Sequence, residues 1–396
     1  MERCFREAEA GGSNPLTPTI QENMIPLALY LHFPWCVKKC PYCDFNSHAL
    51  SGSLPAERYI ARLIEDFSLN SGIGRKITSI FMGGGTPSLF SAKELSPLFD
   101  VILPHCERDL EITLEANPGT IERGQFKDYF DLGINRISLG VQSFNEKHLK
   151  KLGRIHNTDD IFKAVDELTS AGFSNFNLDL MHGLPDQTPE EALSDLKQAI
   201  DLNPTHLSWY QLTIEPNTYF ATKPPTLPND DALADIEDAG FKLLAQAGFE
   251  RYEVSAFARD GRYCQHNLNY WQFGDYLGIG AGAHGKINLT RTTKPKLPKT
   301  YMGMFPPATE VIASDALPFE FMMNALRLTH GFPIPLFEER TGLPLTLIAP
   351  TLQTLYQKKL LIAEHGRIKT TPLGQRFLND VLEQFLPHDP PHEFIE

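Results

Sequence analysis

The chain has 396 residues, with 36 Lys and Arg against 49 Asp and Glu, a formal net charge of -13. A chain this acidic lacks the basic surface that nonspecific nucleic-acid binding needs. Hydrophobic residues make up 42% and charged residues 21%, ordinary values for a globular protein, and no apolar run approaches the roughly 20 residues that span a bilayer.

The length suits one large domain plus a smaller one. Residues 1–25 read as a flexible extension, because Gly11-Gly12-Ser13-Asn14-Pro15 carries breakers and little apolar material. From about 26 to 258, short apolar runs alternate with amphipathic helices. The strand-like runs are Leu27–Phe33, Ile77–Met82, Leu110–Leu114, Arg136–Val141, Asn175–Met181, His206–Leu212 and Tyr252–Ser255. Between them Ile60, Leu63, Ile64 and Phe67 recur at helical spacing. Ser91 with Glu94 predicts a capping box, and Thr188-Pro189 with Glu191 predicts a second helix start. Strand–helix alternation predicts a parallel sheet with helical crossovers.

The chemistry-bearing residues fall where these strands end. Cys36, Cys40 and Cys43 follow the first strand at spacings of four and three. Thiolates suit iron–sulfur clusters or zinc. Purely structural sites of either kind usually take four protein ligands. Three leave a coordination position open for chemistry, unless His32 or His48 completes a zinc site. The other cysteines, Cys4, Cys106 and Cys264, stand alone and read as incidental thiols. Six cysteines are too sparse for a disulfide framework, and with no export signal they predict a reducing cytoplasm. Gly83-Gly84-Gly85-Thr86 follows the second strand, Glu115 ends the third and Gln142 follows the fourth. Arg154 lies just beyond, and Asp179 lies in the fifth. Carboxylates suit ribose hydroxyls, and an arginine fork suits a carboxylate.

Residues 259–307 read as a connecting segment. It holds His266-Asn267-Leu268-Asn269-Tyr270-Trp271, an imidazole beside flat aromatic surface, then a glycine-rich packing turn from Gly278 to Gly285. Pro295 to Pro307 reads as a linker. Residues 308–386 read as a cap domain of helix, helix, hairpin and helix, which is winged-helix-like without a basic recognition helix. Residues 387–396 read as a flexible tail.

In Cys36-x3-Cys40-x2-Cys43, with Tyr30-Leu31-His32-Phe33-Pro34-Trp35 before it and Asp44-Phe45-Asn46-Ser47-His48 after it, the chain resembles the radical S-adenosylmethionine (SAM) superfamily. Within it the resemblance is to the oxygen-independent coproporphyrinogen III oxidase-like branch, of the HemW type of haem chaperone. The resemblance implies an α/β fold, an incomplete (β/α)6 barrel open at one side, with the smaller C-terminal α+β domain as its cap. It implies a 4Fe-4S cluster on Cys36, Cys40 and Cys43. It implies SAM on Tyr30, Gly83, Gly84, Thr86, Glu115, Gln142, Arg154 and Asp179, and haem as cargo on His266, Tyr270 and Trp271. Family oxidases carry a further cysteine two residues after the third, where this chain has Phe45, and a longer N-terminal arm. Both departures argue against porphyrinogen decarboxylation. The partners implied are haem-accepting proteins such as membrane respiratory cytochromes, and an electron donor such as flavodoxin or ferredoxin. A homodimer stays open. The expected place is the cytoplasm, peripheral at the membrane during delivery.

Overall fold

The computed structural model describes residues 25–70, 73–120, 125–303 and 306–387. The readings of residues 1–24, Cys4 among them, and of the tail from 388 onward lie outside it. The first strand, β1 (Leu27–Phe33), is buried on both faces at nearly every position. That is why its sequence is an almost continuous apolar run. Two short strands, β2 (Trp35–Cys36) and β3 (His48–Ala49), pair with each other around the cysteine loop. Then follow β4 (Ile77–Gly84), β5 (Cys106–Ala116), β6 (Arg136–Gln142), β7 (Phe176–His182) and β8 (His206–Gln211). Strands β1 and β4 through β8 run parallel in sequence order.

The crossover helices lie against this sheet. Ala56–Asn70 buries Tyr59, Ile60, Leu63 and Phe67. The predicted capping box forms, with Glu94 N 3.3 Å from Ser91 Oγ, and the predicted helix start at Thr188 is a second box, with Glu191 N 3.2 Å from Thr188 Oγ1. A third, Asn157 with Asp160, was not foreseen. One apolar core, running from Leu27 to Tyr301, fills the space between sheet and helices.

Beyond β8 the structure departs from the sequence reading. The expected strand Tyr252–Ser255 is a turn. The pairing falls instead on β9 (Glu250–Arg251) and β10 (Ala256–Ala258), with β10 antiparallel to β8. The segment expected to connect two domains belongs to the sheet. Its β11 (Asp275–Ile279) lies parallel to β1, with Tyr30 opposite Gly278. An antiparallel ribbon of β12 (His284–Ile287), β13 (Thr290–Thr293) and β14 (Ala308–Val311) extends that edge. Among the described residues the sheet order is therefore β14-β13-β12-β11-β1-β4-β5-β6-β7-β8-β10-β9. It curves into a barrel that does not close.

The cap domain has its own core of Phe321, Met322, Phe332, Phe337, Leu352 and Leu355. A three-stranded sheet of β15 (Phe332–Pro333), β16 (Leu361–Glu364) and β17 (Arg367–Thr370) includes the expected hairpin. Phe273, two residues after Trp271, enters this core and packs on Phe321. No helix among the described residues is long and apolar enough to cross a membrane.

Candidate functional site

The cysteine loop is held as a closed lasso. Trp35 and Cys36 pair with His48 and Ala49 at its neck. Cys43 N donates to Cys40 O at 3.2 Å, and Lys39 Nζ reaches inward to the carbonyls of Phe45 and Ser47. Burial pushes the Cys36 and Cys43 thiols up, and hydrogen bonding from Thr86 and Ser47 works against it. A guanidinium nitrogen of Arg154 lies 3.6 Å from Cys40 Sγ, placing positive charge where a thiolate would form. All three thiols are half-buried and free. Among the described residues no three His, Cys, Asp or Glu side chains converge on one point. The thiols are separate soft donors spread round one loop, which fits a cluster that gives each cysteine its own iron.

The glycine run at the end of β4 supports this loop from beneath. Gly84 has φ of 110°, and an added Cβ there would lie 2.4 Å from the His32 ring. At Gly85 it would lie 2.5 Å from the Trp35 carbonyl. The absent side chains let Gly85 N donate to Phe33 O at 2.6 Å and Thr86 N to Trp35 O at 2.7 Å. The glycines thus bring β4 flush against the backbone that carries Cys36.

Two carboxylates stand behind the loop. Glu115 Oε2 accepts the Gly84 amide at 3.1 Å. Its pKa is pushed up to about 8, chiefly by burial and then by Asp179, while the Gly84 amide draws it down. Burial also raises Asp179, although Ser138 Oγ at 3.0 Å and Asn177 Nδ2 at 2.7 Å donate to it. The β6–β7 register slips between Gly140 and Gln142, and Gln142 takes a left-handed φ of 69°. Such a bulge re-aims a side chain at a strand end; here Gln142 Oε1 accepts from the Tyr210 hydroxyl at 3.0 Å. Arg154 donates to Gly140 O at 2.8 Å. A cavity of about 930 Å³ opens over the loop, with Tyr30, Cys43, Gly84 and Glu115 in its wall. Gln142, Arg154 and Asp179 are not among the residues that line it.

The aromatic motif behaves differently from its sequence reading. His266 and Tyr270 occupy the short helix Gln265–Trp271. His266 is 1% exposed, inside the barrel. Its Nδ1 lies 3.1 Å from Ser79 Oγ, its Nε2 lies 3.1 Å from the Tyr270 hydroxyl, and Phe81 stacks on its ring. Neither nitrogen is left for an iron, and His266 does not line the cavity. Tyr270 does reach the cavity wall. Trp271 turns toward the cap, where the Arg327 guanidinium covers its ring at 4.3 Å. The motif is a joint: one residue packs the barrel, one faces the cavity, and one meets the cap.

Two residues that the sequence reading gave no part in the SAM or haem sites complete the wall. His32 links the Tyr30 hydroxyl at 3.1 Å to the Asn46 carbonyl at 2.9 Å. Asn46 Nδ2 ties the loop to the carbonyls of Ala281 and Lys296, both at 2.9 Å. The glycine-rich turn after β11 therefore does pack, and what it packs is the cysteine loop. A sequence signal for His32 existed in its place three residues before the first proline-flanked aromatic and cysteine. The Asn46 clamp spans 235 residues and left none.

This barrel and cysteine loop define a radical SAM protein. A family model described as the Radical SAM superfamily matches residues 30–199, and one described as the HemN C-terminal domain matches residues 312–377. The solved structure of coproporphyrinogen III oxidase (HemN) from Escherichia coli superposes with a TM-score of 0.78 at 24% identity, over 91% of this chain and 90% of that one, which shows a shared fold. The heme chaperone HemW of Escherichia coli is 50% identical over 372 residues, 91% of this chain and 98% of the relative. That of Haemophilus influenzae is 50% identical over 92% and 99%, and that of Bacillus subtilis 34% identical over 90% and 98%. The chain belongs to the heme chaperone HemW family.

Proposed function

We propose that this protein is a haem chaperone built on a radical SAM core. It binds haem and passes it to haem-requiring proteins, with membrane respiratory cytochromes as acceptors and a flavodoxin or ferredoxin as electron donor. The observation that carries the reading is half-identity to a heme chaperone along nearly its entire length. The cavity over the cysteine loop supports it, because a flat ligand needs a wide concave site walled by aromatic rings.

Cys36, Cys40 and Cys43 would hold a 4Fe-4S cluster, with Arg154 beside Cys40 offsetting thiolate charge. A cluster with an open iron, when bound, supplies a site for the amino and carboxylate groups of SAM. Tyr30, Glu115 and the glycine end of β4 form the wall that would receive the adenosyl group, with Thr86 beside Cys36 and Asp179, Gln142 and Arg154 positioning from behind. Phe45 is 61% exposed at the cavity mouth. It presents an apolar ring where the oxidases that this family resembles present a thiol.

The test pairs two assays on anaerobically reconstituted protein. Hemin titration is expected to saturate at one per chain. Coproporphyrinogen III, supplied with SAM and a reductant, is expected to give no protoporphyrinogen above a cluster-free control. Turnover above that control would put the oxidase reading first.

A further inference from the structure

The cavity over the cysteine loop adjoins a second space of about 680 Å³ beneath the β12–β14 ribbon, and Tyr276 and His284 line both. Each lies within the roughly 300–1,000 Å³ of small-molecule sites. His284 opens β12 at this boundary. Its Nδ1 lies 3.3 Å from Thr293 Oγ1, and among the described residues nothing engages its Nε2. A histidine oriented through one nitrogen and open at the other is arranged as a metal ligand.

Two other histidines near the cavity are committed elsewhere. His32 uses both nitrogens, on Tyr30 and Asn46. His266 uses both inside the barrel. His48 lines the cavity, but its Nε2 is shut away from solvent without a partner.

The surroundings of His284 suit a porphyrin. Tyr276 presents its ring at the shared wall, braced edge-on by Tyr270 with centroids 4.6 Å apart. Lys296 is exposed at the cavity rim and makes no ion pair among the described residues. Arg291 lines the second space, anchored by Glu320 at 2.8 Å. Burial lowers the His284 pKa first, and the nearby Lys296 and Arg291 lower it further. The imidazole is neutral, the form that binds iron.

We propose that His284 is the axial ligand of the haem that this protein carries, with Tyr276 against the porphyrin face and Lys296 toward a propionate. The assignment rests on the haem-chaperone reading above. The test is hemin titration of the full chain with its cluster reconstituted, followed by Soret absorbance and resonance Raman. His284→Ala is expected to lose the histidine-ligand signature and to bind hemin more than about tenfold more weakly, in line with the loss of metal-site contacts. Added imidazole is expected to restore the signature. His48→Ala and His266→Gln are expected to keep it, and Lys296→Ala to weaken binding severalfold with the signature unchanged. Because His284 is exposed, its variant should fold and retain full cluster iron. An unaltered signature and affinity in His284→Ala, or loss of the signature in the His48 or His266 variant instead, would overturn the assignment and leave the chaperone reading standing. A wild-type chain that takes up no hemin would sink that reading and the assignment with it.

Discussion

Toward the amino ends of the barrel strands, polar side chains are buried against one another. His206 Nδ1 lies 2.7 Å from Asn177 Oδ1, and its Nε2 lies 2.8 Å from the Tyr252 hydroxyl. His266 is shared between Ser79 and Tyr270. Arg136, 2% exposed, leaves its Nε without a hydrogen bond and is held by charge, facing Glu111 at 3.9 Å, and Glu111 accepts the Gln265 amide at 3.0 Å. Toward the carboxyl ends the burial is as deep but that end is open. Glu115 accepts one amide and faces the Asp179 carboxylate. Three thiols stand free of disulfides, with Ser47 Oγ 3.6 Å from Cys43 Sγ and Arg154 3.6 Å from Cys40 Sγ. Buried ionisable groups therefore do not by themselves mark a functional site here. What sets the carboxyl end apart is that Glu115 and the cysteine loop border a cavity, where a ligand can reach them.

Breaking the open end should abolish ligand binding and spare the fold. Replacing Cys36, Cys40 or Cys43 with alanine is expected to eliminate stable cluster binding, read as iron, sulfide and visible absorbance, with circular dichroism unchanged. A triple variant that still reconstitutes a full cluster would defeat the assignment. Breaking the closed end should do the opposite. His206→Ala removes one partner each from Asn177 and Tyr252 and leaves a cavity in a fully buried site, and should lower stability by about 2–4 kcal/mol in urea unfolding. SAM affinity in calorimetry should stay within error. Next in size, Glu115→Gln and Asp179→Asn should weaken SAM binding by about 1.5–3 kcal/mol, the range for charged hydrogen bonds. Glu115→Gln should also stabilise the cofactor-free chain above pH 8. The native carboxyl holds its proton up to about 8, whereas the unfolded one releases it near 4.5. Wild-type stability therefore falls as pH rises through that window, and the variant escapes the fall. Unchanged SAM affinity in both variants would remove the carboxylates from the site.

The same contrast explains what the sequence could disclose. Strands β1 and β4 through β8 were legible because doubly buried parallel strands are apolar runs, and Leu27–Phe33 was placed to the residue. The cysteine loop was legible because its three donors are local. Strands β11 to β14 were not. Gly278 and Gly280 interrupt the apolar pattern, Thr290–Thr293 is polar throughout, and β11 is recruited by pairing with β1 across some 248 positions (Tyr30 to Gly278). Tyr252 looked like a strand residue, yet its hydroxyl is drawn inward to His206, so the strand begins only at Ala256. His266 looked like a ligand because imidazole beside aromatic rings is ligand chemistry. Its unavailability is decided by Ser79, 187 residues earlier, which no local pattern reports.

The smallest expected effect tests the closed end by titration. Burial first, and then the nearby Arg136, push His266 down from its ordinary 6.5 to about 3. Burial likewise takes His206 well below 6.5. The folded chain keeps these imidazoles neutral where the unfolded chain would protonate them, so below pH 6.5 the unfolded state binds more protons. Stability that is full above 6.5 is lost as pH falls toward 4, and one such histidine accounts for about 1.4 kcal/mol at pH 5.5. His266→Gln removes that liability along with the ring's packing. In urea unfolding at pH 7.5 the variant should be the less stable protein, and at pH 5.5 the gap should narrow by about 1.4 kcal/mol. A gap that stays constant across the two pH values would mean that His266 takes up a proton in the folded state. Its circuit with Ser79 and Tyr270 would then be open to solvent, and the distinction between the two ends of the barrel would fail at the residue where they meet.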